Sequence, residues 1–120
     1  MTIYQTKLQQ LEQRTINFSV NIIKTCGKYS GDVTLRSLID QLVRASTSIG
    51  ANYAEANNAS SKADFKNKIF IAKKEAAETR YWLRVLSELL PNEDFNELSQ
   101  EALELNLILQ KIVTTMNAGK

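Results

Sequence analysis

Acid–base chemistry in this sequence would have to rest on carboxylates, lysine or tyrosine. Glu75 and Glu78 stand three residues apart in a stretch typical of a helix, so both would lie on one side of it. The spacing is superficially similar to that of carboxylate di-metal bundles, which also require Glu-x-x-His motifs. The sequence contains no histidine. We therefore favour a hydrogen-bond network that fixes helix register over a metal or acid–base site.

The predicted network extends to polar side chains of the preceding helical segment. Asn52 lies on the apolar stripe of that segment and would be buried, so it requires hydrogen-bond partners. The predicted buried polar network consists of Arg44, Ser48, Asn52, Glu55, Glu75 and Glu78. Residues 44–52 are mostly small, and Gly50 in a helix interior costs about 1 kcal/mol relative to Ala. A tight helix crossing would offset this cost; the alternative is a ligand groove lined by Ser46, Ser48 and Asn52.

The composition excludes several classes of enzyme. With one cysteine and no histidine, the sequence offers neither a zinc site of the usual ligand types nor a Ser–His or Cys–His relay. Its four glycines and one proline form no glycine-rich phosphate loop. We expect a protein that is not an enzyme and uses no cofactor or metal. The lone Cys26 and the lack of an 18-residue apolar run predict a cytoplasmic protein without a membrane span.

Basic residues of the third helical segment fall within about 40° of one another on a helical wheel. This cationic stripe consists of Lys62, Lys66, Lys73, Arg80 and Arg84. It would extend over roughly 33 Å, close to one turn of duplex nucleic acid, and could meet several phosphates. The net charge is only +2. The alternative is therefore a solvated helix face, balanced by pairs such as Lys74–Glu78 and Arg84–Glu88.

The third segment has apolar residues on nearly every face, whereas a four-helix bundle covers only part of each of its helices. A helix that is apolar on most faces must be buried on most faces, and exposed apolar patches normally mark association surfaces. We predict self-association through Phe70, Ile71, Ala77, Tyr81, Trp82 and Val85. The alternative is that long side chains of the same protomer cover these residues.

Four helical segments must position these groups, at about 3–27, 33–57, 62–90 and 94–117. Gly27 and Gly31, the run 57–60 and Pro91 separate them, and apolar residues recur at spacings of four and three. Ser61 begins a capping box, and Asp32 or Thr34 could cap the second segment. Short connections favour antiparallel neighbours. We predict one all-α domain over 1–120, an up-down-up-down antiparallel four-helix bundle that is the protomer of a ring-like oligomer.

Four stretches resemble a known family: QLVR at 41–44, TSIGANYAEA at 47–56, SKADF at 61–65 and KKEAAETRYWL at 73–83. The family is that of bacterial four-helix-bundle proteins encoded in intervening sequences of 23S rRNA genes, with the accessory variability determinants of diversity-generating retroelements as relatives. The resemblance implies an up-and-down protomer in a homopentamer, with no catalytic residues. It implies structural roles for the polar signature residues, which here are Arg44, Ser48, Asn52, Glu55, Asp64 and Glu78.

The stripe and the resemblance together predict a weak RNA- or DNA-binding module. The retroelement relatives are thought to bind nucleic acid and a reverse transcriptase, so a reverse transcriptase or another protein is a second expected partner. The alternative function is a protein–protein interaction scaffold with no role in nucleic-acid binding.

Overall fold

The chain forms four long helices, described here in a computed structural model that covers residues 1–118. They are α1 (Ile3–Gly27), α2 (Arg36–Asn57), α3 (Lys62–Leu89) and α4 (Asn96–Ala118). No strand occurs within residues 1–118, so the prediction of an all-α fold with four helices is confirmed. The helices pack into an elongated body of 47 × 27 × 22 Å.

Each helix runs antiparallel to the next, as cross-helix contacts show. Residues near the end of α1 line a cavity with residues from the start of α2, and Glu55 near the end of α2 pairs with Lys68 near the start of α3. Asn106 of α4 bonds to Lys73 of α3, whereas residues at the start of α4 lie beside Arg84. The predicted up-down-up-down order therefore describes the single chain.

The core follows the predicted apolar stripes of α3 and α4. On α3 the spacing of three and four places Ile69, Ala72, Ala76, Leu83 and Leu86 in full burial. On α4 the same spacing buries Ala102, Leu105 and Leu109. The helices are held mainly by this shared apolar interior, since burial of such side chains is the dominant favourable term in folding.

Two helix starts differ from the sequence prediction. Ser61 caps α3 as expected, because its hydroxyl accepts from the backbone N–H of Asp64 at 3.0 Å. Helix α2, however, begins at Arg36 with Leu35 as a cap that makes no side-chain bond. The Asp32 carboxylate accepts instead from the backbone and hydroxyl of Thr34, which forms a turn and delays the helix. Helix α4 begins at Asn96 rather than 94, because Asp94 accepts from the Asn96 N–H.

Polar side chains link the α1 side of the bundle to the α4 side at two points along its length. Arg14 donates from Nε and Nη2 to the Glu101 carboxylate at 2.6 Å, and Nη2 also donates to Glu104 at 2.8 Å. Just beyond the end of α1, the Tyr29 hydroxyl donates to Glu93, which lies in the connection before α4, at 2.6 Å. These contacts turn the acidic face of α4 toward α1, away from the cationic stripe.

Candidate nucleic-acid interface

The cationic stripe lies on one face of α3, and its C-terminal half borders α4. Lys62, Arg80 and Arg84 are exposed, whereas Lys66 and Lys73 are half-buried. Because α3 is continuous from Lys62 to Leu89, its geometry spreads the five cations over roughly 33 Å on one face. The structure thus brings together all five residues that the sequence selected.

The C-terminal end of the stripe borders an open cleft between α3 and α4. Arg80 and Arg84 form one wall of this cleft, which has a volume of about 510 Å³. The other lining residues are uncharged: Ser87, Asn96, Ser99, Gln100 and Leu103. Two guanidinium groups beside hydroxyl and amide groups are a donor set suited to a phosphate. The α4 members were missed by the sequence analysis; their spacing of three and four along one face of α4 is the signal that finds them.

Lys73 marks the middle of the stripe and is held in two ways. Its backbone carbonyl accepts a hydrogen bond from the Asn106 side-chain amide at 3.0 Å, which ties α3 to α4. Its ammonium group lies 5.5 Å from the centre of the Phe70 ring, within the range of a cation–π contact. The cation therefore stays at the surface, beside an aromatic ring.

Acidic side chains are almost absent from this face of α3. A sector of about 120° around the helix contains six cations, namely the five of the stripe and Lys74, with Glu88 as its one acid. The predicted balancing pairs, Lys74–Glu78 and Arg84–Glu88, do not form among residues 1–118. Glu78 instead accepts a hydrogen bond from the Trp82 indole at 3.1 Å. This face of α3 therefore carries more positive than negative charge.

The acids of α4 point elsewhere, as a second groove shows. This groove of about 710 Å³ between α1 and α4 is lined by cations such as Lys24 and Lys28 and by Glu93, Glu97 and Glu101. The opposite charges in this groove partly cancel, and its three glutamates would repel a phosphate. The smaller cleft beside Arg80 and Arg84 is the better site for an anion.

The six residues of the predicted oligomer interface separate into two groups. Phe70, Ala77 and Tyr81, hereafter the aromatic strip, are exposed and border the cationic stripe. Ile71, Trp82 and Val85 are half-buried and lie further round the helix. The Trp82 ring packs against the core and meets Tyr81 edge-on, with centroids 5.2 Å apart. The protomer covers part of the second group and leaves the strip open.

The predicted buried polar network does not form within the protomer. Arg44, Glu55 and Glu78 are exposed. Ser48 and Asn52 are half-buried, but the Ser48 hydroxyl donates to the Arg44 carbonyl and the Asn52 amide donates to the Ser48 carbonyl, both within α2. Polar side chains on a helix often satisfy themselves this way, one turn back along their own backbone.

Two carboxylates of the predicted network, Glu55 and Glu75, lie in other surroundings. Glu55 pairs with Lys68 across α2 and α3 at 2.9 Å. Glu75 is half-buried, and its pKa is raised by burial and by the nearby Glu78 charge. The ligand groove considered for Ser46, Ser48 and Asn52 is also wrong, because Ser46 is buried and donates to the Val43 carbonyl.

Two further structural findings concern metals and membranes. Within residues 1–118, no three cysteine, aspartate or glutamate side chains come together as a metal site would require. None of the helices described in that range combines the length and apolar character needed to cross a bilayer.

Comparison with known proteins identifies the family. The family model described as "23S rRNA-intervening sequence protein" matches residues 7–111. The chain belongs to this family. The matched residues extend from α1 to most of α4, so all four helices contribute to the match.

A solved structure agrees with this assignment. The crystal structure of a protein of unknown function from the S23 ribosomal protein family of Bacteroides thetaiotaomicron superposes with a TM-score of 0.79 and 34% identity. The similarity covers 85% of this chain and 96% of that chain. No curated protein sequence matches the chain.

Proposed function

We propose that this chain is a non-catalytic module that binds RNA through the cationic stripe of α3. The observation that carries the proposal is the separation of charge. The acids of α4 are turned toward α1, whereas the other residues that line the cleft beside Arg80 and Arg84 are neutral, and four of them have hydrogen-bonding side chains. A polyanion would meet positive charge along the full length of α3. The name of the family, which refers to 23S rRNA, supports RNA as the ligand.

The expected affinity is low and strongly dependent on salt. Each phosphate neutralised by a cation releases condensed counterions. If all five cations of the stripe engage, the logarithm of the binding constant should fall against the logarithm of salt with a slope of roughly −3.5 on single strands and −4.5 on duplexes.

Charge reversal with a matched control tests the proposal. The test variant carries Lys66→Glu, Lys73→Glu, Arg80→Glu and Arg84→Glu; the control carries Lys7→Glu, Lys24→Glu, Arg36→Glu and Lys111→Glu, all at exposed positions outside α3. Both variants change the net charge equally. We expect fluorescence anisotropy at low salt to show RNA binding by the wild type and the control, and none by the test variant. Equal loss in both variants, with helicity retained by circular dichroism, would refute a localised site.

Exposed apolar residues favour a second role, self-association of the protomer. On α1, Ile16, Val20 and Ile23 follow one another at helical spacing with 48%, 42% and 49% of their surface exposed. Together with the half-exposed Ile71, Trp82 and Val85 of α3, they give the protomer two apolar surfaces for partner helices. Such surfaces are also what a protein-interaction scaffold would use.

The mass of the particle distinguishes these roles. We expect light scattering at micromolar concentration to report a multiple of 13.5 kDa, five-fold for the ring that the sequence resemblance implies. Ile16→Lys with Val20→Lys should reduce the mass if α1 contributes to the contact. A wild-type particle of one chain would exclude self-association and leave a scaffold for other proteins.

A further inference from the structure

Two aromatic rings stand beside the cationic stripe with much of their surface in solvent. Phe70 is 46% exposed and Tyr81 is 61% exposed. On the helix they lie about 20° apart in direction and about 16 Å apart along the axis. Large aromatic side chains usually bury most of their area, so two open rings on one helix face require an explanation.

Neighbouring groups hold both rings in place without covering them. The Lys73 ammonium lies 5.5 Å from the Phe70 ring centre. Tyr81 meets the Trp82 ring edge-on, with an interplanar angle of 78°. Trp82 is itself fixed by the hydrogen bond from its indole N–H to the Glu78 carboxylate. The rings are therefore partly ordered before any ligand arrives, which lowers the entropic cost of binding to them.

We propose that Phe70 and Tyr81 are a base-stacking platform, which makes this surface selective for single-stranded RNA over duplex RNA. The inference rests on the proposed function, because the cations of the stripe must hold the phosphates. Unpaired bases offer open faces to an aromatic ring, whereas bases in a duplex are already stacked on one another. The strand would follow α3, with phosphates toward Lys73, Arg80 and Arg84 and bases toward the two rings.

Charge complementarity selects this occupant over a two-fold contact between copies of the chain. Such a contact through the aromatic strip would bring the adjacent stripe of one protomer against the same stripe of its partner, whereas a ring contact, which would join the strip to a different surface of the next copy, is tested by the particle mass. Six cations and a single acid on that face would then repel their equivalents. A polyanion with flat apolar groups matches the same surface without repulsion.

The test compares one variant on two probes. A 5′-labelled 12-nucleotide oligo(U) and a 12-base-pair RNA duplex are titrated by anisotropy at the same low salt concentration. We expect the wild type to bind the single strand at least ten-fold tighter than the duplex. In F70A/Y81A, affinity for the single strand should fall at least about 30-fold and affinity for the duplex less than two-fold.

Matched variants separate stacking from other causes. Ile3→Ala with Val33→Ala removes two other exposed apolar side chains and should leave both affinities unchanged. Tyr81→Phe keeps the ring and should retain the preference. Equal wild-type affinity for the two probes, with binding still abolished by the charge reversal, would overturn the platform and leave RNA binding intact. A change of particle mass in F70A/Y81A would also overturn it, because the strip would then be a contact between copies.

Discussion

Thr15 of α1 faces the bare backbone of Gly50 on α2, where the two helices cross. A Cβ atom placed at Gly50 would lie 2.6 Å from Thr15 Oγ1 and 2.9 Å from Thr15 Cβ, closer than such atoms can approach. Thr15 is buried, and its hydroxyl donates to the Glu12 carbonyl at 2.6 Å, so it has little room to move. The glycine is thus needed for the close packing of these helices, as the small residues around it predict.

We expect Gly50→Ala to destabilise the protein by about 1–3 kcal/mol, although alanine is the better helix former. The overpacking at Thr15 must outweigh the gain in helix propensity. Urea unfolding followed by circular dichroism measures the difference. Gly27→Ala is the control, because a Cβ at Gly27 meets nothing within 4 Å. Unchanged stability of Gly50→Ala would show that α1 can shift without cost.

Arg14 and Glu101 should be energetically coupled. The guanidinium donates two bonds to this carboxylate at 2.6 Å, a bidentate geometry stronger than that of a single surface pair. About a third of the Arg14 side chain is exposed, so we expect a coupling energy of only about 1 kcal/mol. A double-mutant cycle with Arg14→Met and Glu101→Gln measures it. Additive effects of the two substitutions would mean that the pair contributes no net stability.

Glu93 should make stability depend on pH in the acidic range. The hydrogen bond from Tyr29, and then that from Lys28, lowers the pKa of Glu93 below its ordinary value of 4.5. A lowered pKa stabilises the fold at pH values above 4.5, and this stabilisation is lost as the pH falls through the folded-state pKa.

Glu93→Gln should therefore be less stable than the wild type at pH 7 and nearly as stable at pH 3. Urea midpoints at half-unit pH intervals give the difference curve. The exposed Glu97→Gln serves as the control for removal of one acidic charge. A difference that persists at pH 3 would assign the role of Glu93 to packing instead of its charge.

Single neutralisations should reveal how many cations of the stripe meet phosphates. Arg84→Gln removes one charge from the wall of the α3–α4 cleft. We expect the slope of log K against log salt on oligo(U) to become less negative by about 0.7, the value for one phosphate contact on a single strand. Arg36→Gln, at an exposed position on α2, should leave the slope unchanged. Equal changes in both variants would indicate non-specific attraction.

The sequence predicted the helices and their buried faces well. Spacings of three and four place apolar residues on one side of a helix whatever its neighbours are, so the burial of Ile69, Leu83 and Leu105 follows from local geometry. The same reasoning failed for Asn52. Asn52 lies near the edge of the apolar stripe of α2, where its amide reaches a carbonyl of its own helix. It therefore needs no partner on another helix.

By itself the sequence determined four amphipathic helices, the alignment of five cations on one face of α3 and the lack of histidine chemistry, because each depends only on residue type and helical period. Only the tertiary structure decided which neighbours those faces meet. It turned Glu101 and Glu104 toward Arg14, almost ninety residues earlier in the chain, and left Phe70 and Tyr81 open beside the cations. Such pairings depend on how whole helices rotate to bury their apolar stripes, which no local spacing specifies.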